Sequence, residues 1–133
     1  MKTYLLDTNT FIRFLIKDEL AQAIKVKELL ESIKKNGDRI FLPLFVILEI
    51  IFVLESCNKS SREKIVAEIK KLFQINFIEV EKKEVLAKCF VIYQEKRSLS
   101  IVDIILLVIA RQENFNLFTF DKRLQSTVKN LTI

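Results

Sequence analysis

RIFLPLFVILEIIFVL, residues 39–54, decides how the chain folds. Arg39 to Leu42 has the length and apolar content of a short strand. Pro43 follows, and proline suits the first turn of a helix, where its missing N–H has no partner to lose. From Leu44 the run stays apolar to Leu54, and the helix is expected to reach about Cys57. One carboxylate, Glu49, interrupts it. Its helical neighbours at three and four residues are Phe45, Val46, Phe52 and Val53, none of them charged. A buried, unpaired carboxylate is costly or becomes protonated. Glu49 therefore either faces water or is compensated by a distant group.

The same strand-then-helix alternation recurs on both sides. Lys2–Leu6 reads as a short buried strand. Thr8–Lys35 reads as two helices interrupted near Lys17 and Asp18, and Asn36-Gly37-Asp38 as a turn that stops the second. Ser60 or Ser61 caps a helix running to about Leu72, Asn76–Val80 is a strand, and Lys82–Lys96 a helix. After a connection at Arg97–Leu99, a very apolar helix spans Ser100–Glu113. Asn116–Phe120 reads as a strand, Asp121–Leu124 as a turn or short helix, and Leu131–Ile133 as a last strand. Apolar strands alternating with helices predict an α/β fold with a mainly parallel sheet covered on both faces. In such folds ligands bind outside the carboxyl ends of the strands, where strand order reverses.

Composition narrows the chemistry. The 133 residues suit one domain over residues 1–133, and 50% hydrophobic residues with 11 Phe can fill its core. With one Gly, no glycine-rich phosphate loop can form; with no His, triads and histidine zinc sites are excluded. Cys57 and Cys89 read as reduced, mostly buried thiols of a cytosolic protein. No stretch has the shape of a secretion signal, and the two longest apolar runs are each broken by an acid and too short to span a membrane. A cytoplasmic protein is expected.

Four acids stand out. Asp7 follows the first strand (YLLD), and Asp121 follows a late one (LFTFD). Asp103 lies in the first turn of SIVDIILLVIA, and Glu49 about two turns into its helix. Helices that follow strands begin at the same sheet edge, so all four can converge. Asp7, Asp103 and Asp121 also suit helix caps; Glu49 has no such role. Clustered carboxylates cannot all stay ionised without a counter-charge. With no His, and only oxygen donors among the four, that charge would be Mg2+ or Mn2+, an ion suited to phosphodiester hydrolysis. The net charge is +5; with the four acids set aside the remainder is 22 basic against 13 acidic residues, or +9. An acidic site ringed by basic residues fits a nucleic acid backbone. Arg97, Arg111, Lys122 and Arg123 flank the acids and are candidate phosphate contacts.

YLLDTNTFIRFL, FVILEIIFVL, SLSIVDIILLVIA and NLFTFDKRL, in that order, resemble a PIN domain, and the size is most similar to VapC-type toxins. The resemblance covers the whole chain. It implies an α/β/α sandwich, divalent-metal-dependent cleavage of RNA, and Asp7, Glu49, Asp103 and Asp121 as the acidic quartet. It also implies polar support from Asn9 and Thr119, a homodimer, and a small antitoxin protein that inserts a segment into the acidic groove. One departure is the bulky Ile104-Ile105-Leu106-Leu107 after Asp103, where the family has small residues. Two other readings compete. DTNT resembles the DxDxT of aspartate-nucleophile phosphatases, but Asn9 stands where their second acid must be. A non-catalytic nucleic-acid-binding or scaffold module on the same fold would bind no metal.

Overall fold

A computed structural model describes residues 1–130. The two strands expected at the extreme carboxyl end fare differently: Leu131–Ile133 lies outside the described residues, and Asn116–Phe120 is treated below. The chain divides into two compact units, Met1–Glu81 and Lys82–Ile133.

The first unit is a parallel sheet with four helices. Strand β1 (Thr3–Leu5) leads into helices α1 (Thr8–Leu15) and α2 (Leu20–Lys35). Strand β2 (Arg39–Leu42) leads into α3 (Leu44–Ser56) and α4 (Arg62–Phe73), and strand β3 (Ile78–Val80) closes the unit. The break between α1 and α2 falls where Lys17 and Asp18 predict it. Arg13 braces it, donating to Gln22 at 2.6 Å and to Asp18 at 3.2 Å. The α2 stop is built on Gly37, whose φ of +70° needs a residue without Cβ strain. The Gly37 N–H donates to the Lys34 carbonyl, and the Asp38 N–H to the Ile33 carbonyl.

β2 lies between β1 and β3 and pairs with both in parallel. Ile40 sits opposite Tyr4 on one side and Ile78 on the other. Ile40 and Leu42 are fully buried, as are Ile47, Ile50, Ile51 and Leu54 of α3 and Ile65, Ile69 and Leu72 of α4. The buried Asp38 carboxylate accepts the Lys2 N–H at 2.8 Å, pinning the start of β1 to the start of β2.

Two expectations about the strands fail. β1 is not buried: Thr3 and Leu5 are exposed and Tyr4 is half-buried, because among the described residues β1 is an edge of the sheet. β2 and β3 alternate between buried and more open positions along their length. Strand order also follows chain order, without a reversal among the described strands.

The second unit holds α5 (Lys83–Glu95), α6 (Ile101–Gln112) and α7 (Lys122–Asn130). α5 and α6 pack together through Leu86, Cys89, Phe90 and Tyr93 and through Ile101, Ile104, Ile105 and Val108. The bulky residues after Asp103 are explained here. Ile104, Ile105 and Leu107 are buried, and Leu106 alone of the four is exposed. Asn116–Phe120 forms no strand. Its alternation gives β propensity, but among the described residues no partner pairs with it, and Phe118 and Phe120 stand exposed, edge to face at 5.1 Å. The helix at Lys122 runs for nine residues rather than one turn. Cys89 is buried, which pushes its thiol up to about 12, but Cys57 is exposed at the end of α3; both are free. Among the described residues no helix is long and apolar enough to cross a membrane.

Truncating Ile47, fully buried in α3, to Ala is expected to cost about 2–5 kcal/mol in urea unfolding, through lost burial and the cavity left behind. The same change at exposed Phe52 should cost less than about 1 kcal/mol.

Candidate active site

Asp7 leaves the carboxyl end of β1 and caps α1. Its Oδ1 accepts from the Thr10 N–H at 2.9 Å and from the Thr10 hydroxyl at 2.7 Å. Those bonds, the hydroxyl first, hold its carboxyl below the usual carboxylate range. Asp7 is exposed, and Oδ2 takes no hydrogen bond among the described residues.

Glu49 is exposed. The helical spacing of Phe45, Glu49 and Phe52 puts them on one side of α3, and all three are open to solvent while Val46, Ile47, Ile50 and Ile51 are buried. The acid in an apolar helix therefore needs no buried counter-charge. What positions it is the start of the helix: Pro43 precedes the first turn, and the Leu44 N–H donates to the Glu81 carboxylate at 2.7 Å. Asp7 and Glu49 line one open cleft of about 410 Å3, together with Leu5, Leu6, Thr8 and Phe45. The structure brings these two acids together.

Asp103 and Asp121 belong to the second unit. Asp103 forms a capping box with Ser100, accepting the Ser100 N–H at 3.3 Å while the Ser100 hydroxyl accepts the Asp103 N–H at 3.1 Å. Asp121 caps α7. It accepts the N–H groups of Arg123 at 2.9 Å and Leu124 at 3.3 Å, and the Arg123 guanidinium at 3.4 Å. The guanidinium bond, then the backbone bonds, hold its carboxyl low. Among the described residues, no three acidic or cysteine side chains are gathered closely enough to hold a metal ion.

The supporting residues scatter. The Thr119 hydroxyl accepts the Asp121 N–H at 3.0 Å, so it shapes the turn before α7. Asn9 lines a second groove, beside Asp7. Of the basic candidates, Arg123 is engaged with Asp121, Lys122 opens α7, Arg97 is exposed, and Arg111 lines a separate pocket of about 140 Å3 with Asn114 and Phe115. Arg13 and Lys25 were not legible as site residues, yet both share the second groove with Asp7. They come from two helices whose approach only the fold reveals.

The cleft's titratable side chains are carboxylates, without nitrogen or sulfur ligands, a donor set suited to a hard divalent ion. The PIN domain family profile matches residues 4–130. The chain belongs to the PIN domain family. It is also similar to a VapC ribonuclease of Aquifex aeolicus (strain VF5), with 27% identity over 93 residues, covering 70% of this chain and 68% of that one. No solved structure matches it. The parallel sheet and flanking helices agree with a PIN-like α/β/α fold. Family membership places this PIN protein among nucleases and toxin–antitoxin proteins.

The cap at Asp7 sets an expected pH dependence. A depressed folded pKa contributes stability above the unfolded value near 3.8, lost as pH falls through the lower folded value. Asp7→Ala should therefore cost about 1 kcal/mol at pH 7. That deficit should shrink below about pH 3.8 in thermal melts. Asp7→Asn should keep the cap and melt close to the native chain at pH 7.

Proposed function

We propose that this PIN protein is a divalent-metal-dependent endoribonuclease and the toxin of a toxin–antitoxin pair. The observation that carries this reading is the cleft shared by Asp7 and Glu49 in a chain of this family. Asp103 and Asp121 complete the acid set in the proposal. Their support is the sequence pattern, in which each acid interrupts an apolar segment next to a helix start.

The oxygen donors suit Mg2+ or Mn2+. When bound, such an ion supplies Lewis acidity at a phosphodiester and offsets the charge that builds on it. Asp7 would help to hold it, since its Oδ2 takes no hydrogen bond among the described residues while Oδ1 accepts from Thr10. Those same bonds fix the carboxylate's orientation and favour its ionised form. Glu49 makes no hydrogen bond among the described residues, so its carboxylate is free to hold the ion or to position the attacking water. The excess of Lys and Arg elsewhere draws the RNA backbone in. A cytoplasmic location, a homodimer and a small antitoxin protein covering the acidic groove belong to the same proposal.

Purified protein is expected to cut RNA with Mg2+ or Mn2+ and to stop when EDTA is added. Asp7→Asn should lower the rate beyond the roughly 10–100-fold typical of residues that only support a metal ligand. Expression should arrest growth, and the Asn variant should not. An Asn variant that cuts at the native rate would overturn the assignment, and a folded chain that neither binds Mn2+ nor cuts would favour the non-catalytic module.

A further inference from the structure

Asp7 stands between two grooves of the first unit, and they differ in character. The cleft shared with Glu49 has an apolar rim, where Phe45 is 72% exposed and Leu5 71%. On the other side of Asp7, α1 and α2 frame a groove of about 260 Å3 lined by Asn9, Thr10, Arg13, Gln22 and Lys25. Arg13 is held in place by Gln22 and by an ion pair with Asp18, which offsets part of its charge, and Lys25 supplies the groove's second cation. An aromatic ring on one side of a carboxylate and fixed positive charge on the other match the two halves of a nucleotide, a flat base and a phosphate.

Resting on the nuclease function proposed above, we infer that Phe45 is a stacking platform for one base of the RNA and that the Arg13–Lys25 groove receives a neighbouring phosphate. The strand then crosses Asp7, which lines both grooves. Phe45 is suited to this. It stands in the first turn of α3, beside Pro43 and the Glu81 cap, so its backbone is held while its ring is open. A ring that stacks on any base face selects for an unpaired base rather than for a particular one. Charge supports RNA as the occupant: the groove that continues the cleft past Asp7 presents Arg13 and Lys25, which complement a polyanion. Phe45 is a specificity residue here, not a catalytic one.

The test pairs binding with kinetics. A labelled single-stranded RNA, and the same sequence closed into a duplex, are titrated against the full chain carrying Asp7→Asn, which is expected to hold RNA uncut. Cleavage is measured in the native background. Phe45→Ala should weaken binding of the single strand and raise KM by about 5- to 100-fold, the usual worth of one stacked base, with kcat little changed. Phe45→Tyr, which keeps the ring, should restore both, and the duplex should be insensitive to either. Lys25→Ala should reduce the slope of log affinity against log salt by about 0.7, one phosphate contact on a single strand. Phe45 is exposed, so its variants should melt like the native chain.

Unchanged affinity and KM in Phe45→Ala would overturn the platform while leaving a cutting enzyme a nuclease. RNA held through Phe45 but not cut would do the reverse. A shift in solution mass with unchanged RNA affinity would make Phe45 a protein contact and overturn the inference, as would failure to bind RNA at all.

Discussion

Strand β2 accepts β1 on one edge and β3 on the other, and the Asp7–Glu49 cleft hangs from that double pairing. The register places Leu5 opposite Phe41 and Leu42 opposite Val80. β1 and β2 therefore end close together, and the chain leaves them as α1 and α3. Asp7 is the first capping residue after one strand; Glu49 lies on the helix after the other. Slipping β2 by one residue would turn Ile40 and Leu42 out of the core. The bond from the Lys2 N–H to buried Asp38, together with the Arg39 N–H donating to the Lys2 carbonyl at 2.9 Å, holds the register at its start.

Three of the four acids also work as helix caps. For Asp7 the two roles divide between the oxygens: Oδ1 binds Thr10, and Oδ2 has no hydrogen bond among the described residues. Capping thus orients the carboxylate and lowers its proton affinity without consuming it. Glu49 differs, since its carboxylate takes no hydrogen bond among the described residues. It is the acid with the fewest structural obligations and the one whose loss should disturb the fold least.

Much of this was legible in the sequence because the signals were local. RIFL followed by proline marks β2 and α3 within a residue or so, and Ser61, Ser100 and Gly37 mark helix boundaries by their capping chemistry. The signals that failed were not local. NLFTF has the composition of a strand, but a strand exists only when another backbone pairs with it. KTYLL reads as buried because its residues are apolar, yet an edge position leaves Leu5 open. In LFVILEIIFVL nearly every position is apolar, so periodicity could not say that Phe45, Glu49 and Phe52 share the open side. Arg13 and Lys25 escaped because their meeting depends on how α1 packs against α2. Pairing of Asp7 with Glu49 could be inferred from topology; the actual lining of their cleft could not.

The cap on α3 has a consequence for synthesis. The Leu44 N–H is satisfied by a carboxylate 37 residues later, and the second edge of β2 is covered by residues 78–80. A chain emerging amino end first therefore presents Ile47, Ile50, Ile51 and Leu54 well before the residues that close the unit exist. The 25 residues from Ser56 to Glu81 take roughly one to five seconds to make at ordinary translation speeds. For part of that interval the most apolar helix of the unit has α1 beside it but not yet α4, the other helix it packs against, and chaperones or other nascent chains compete with α4 for its open side.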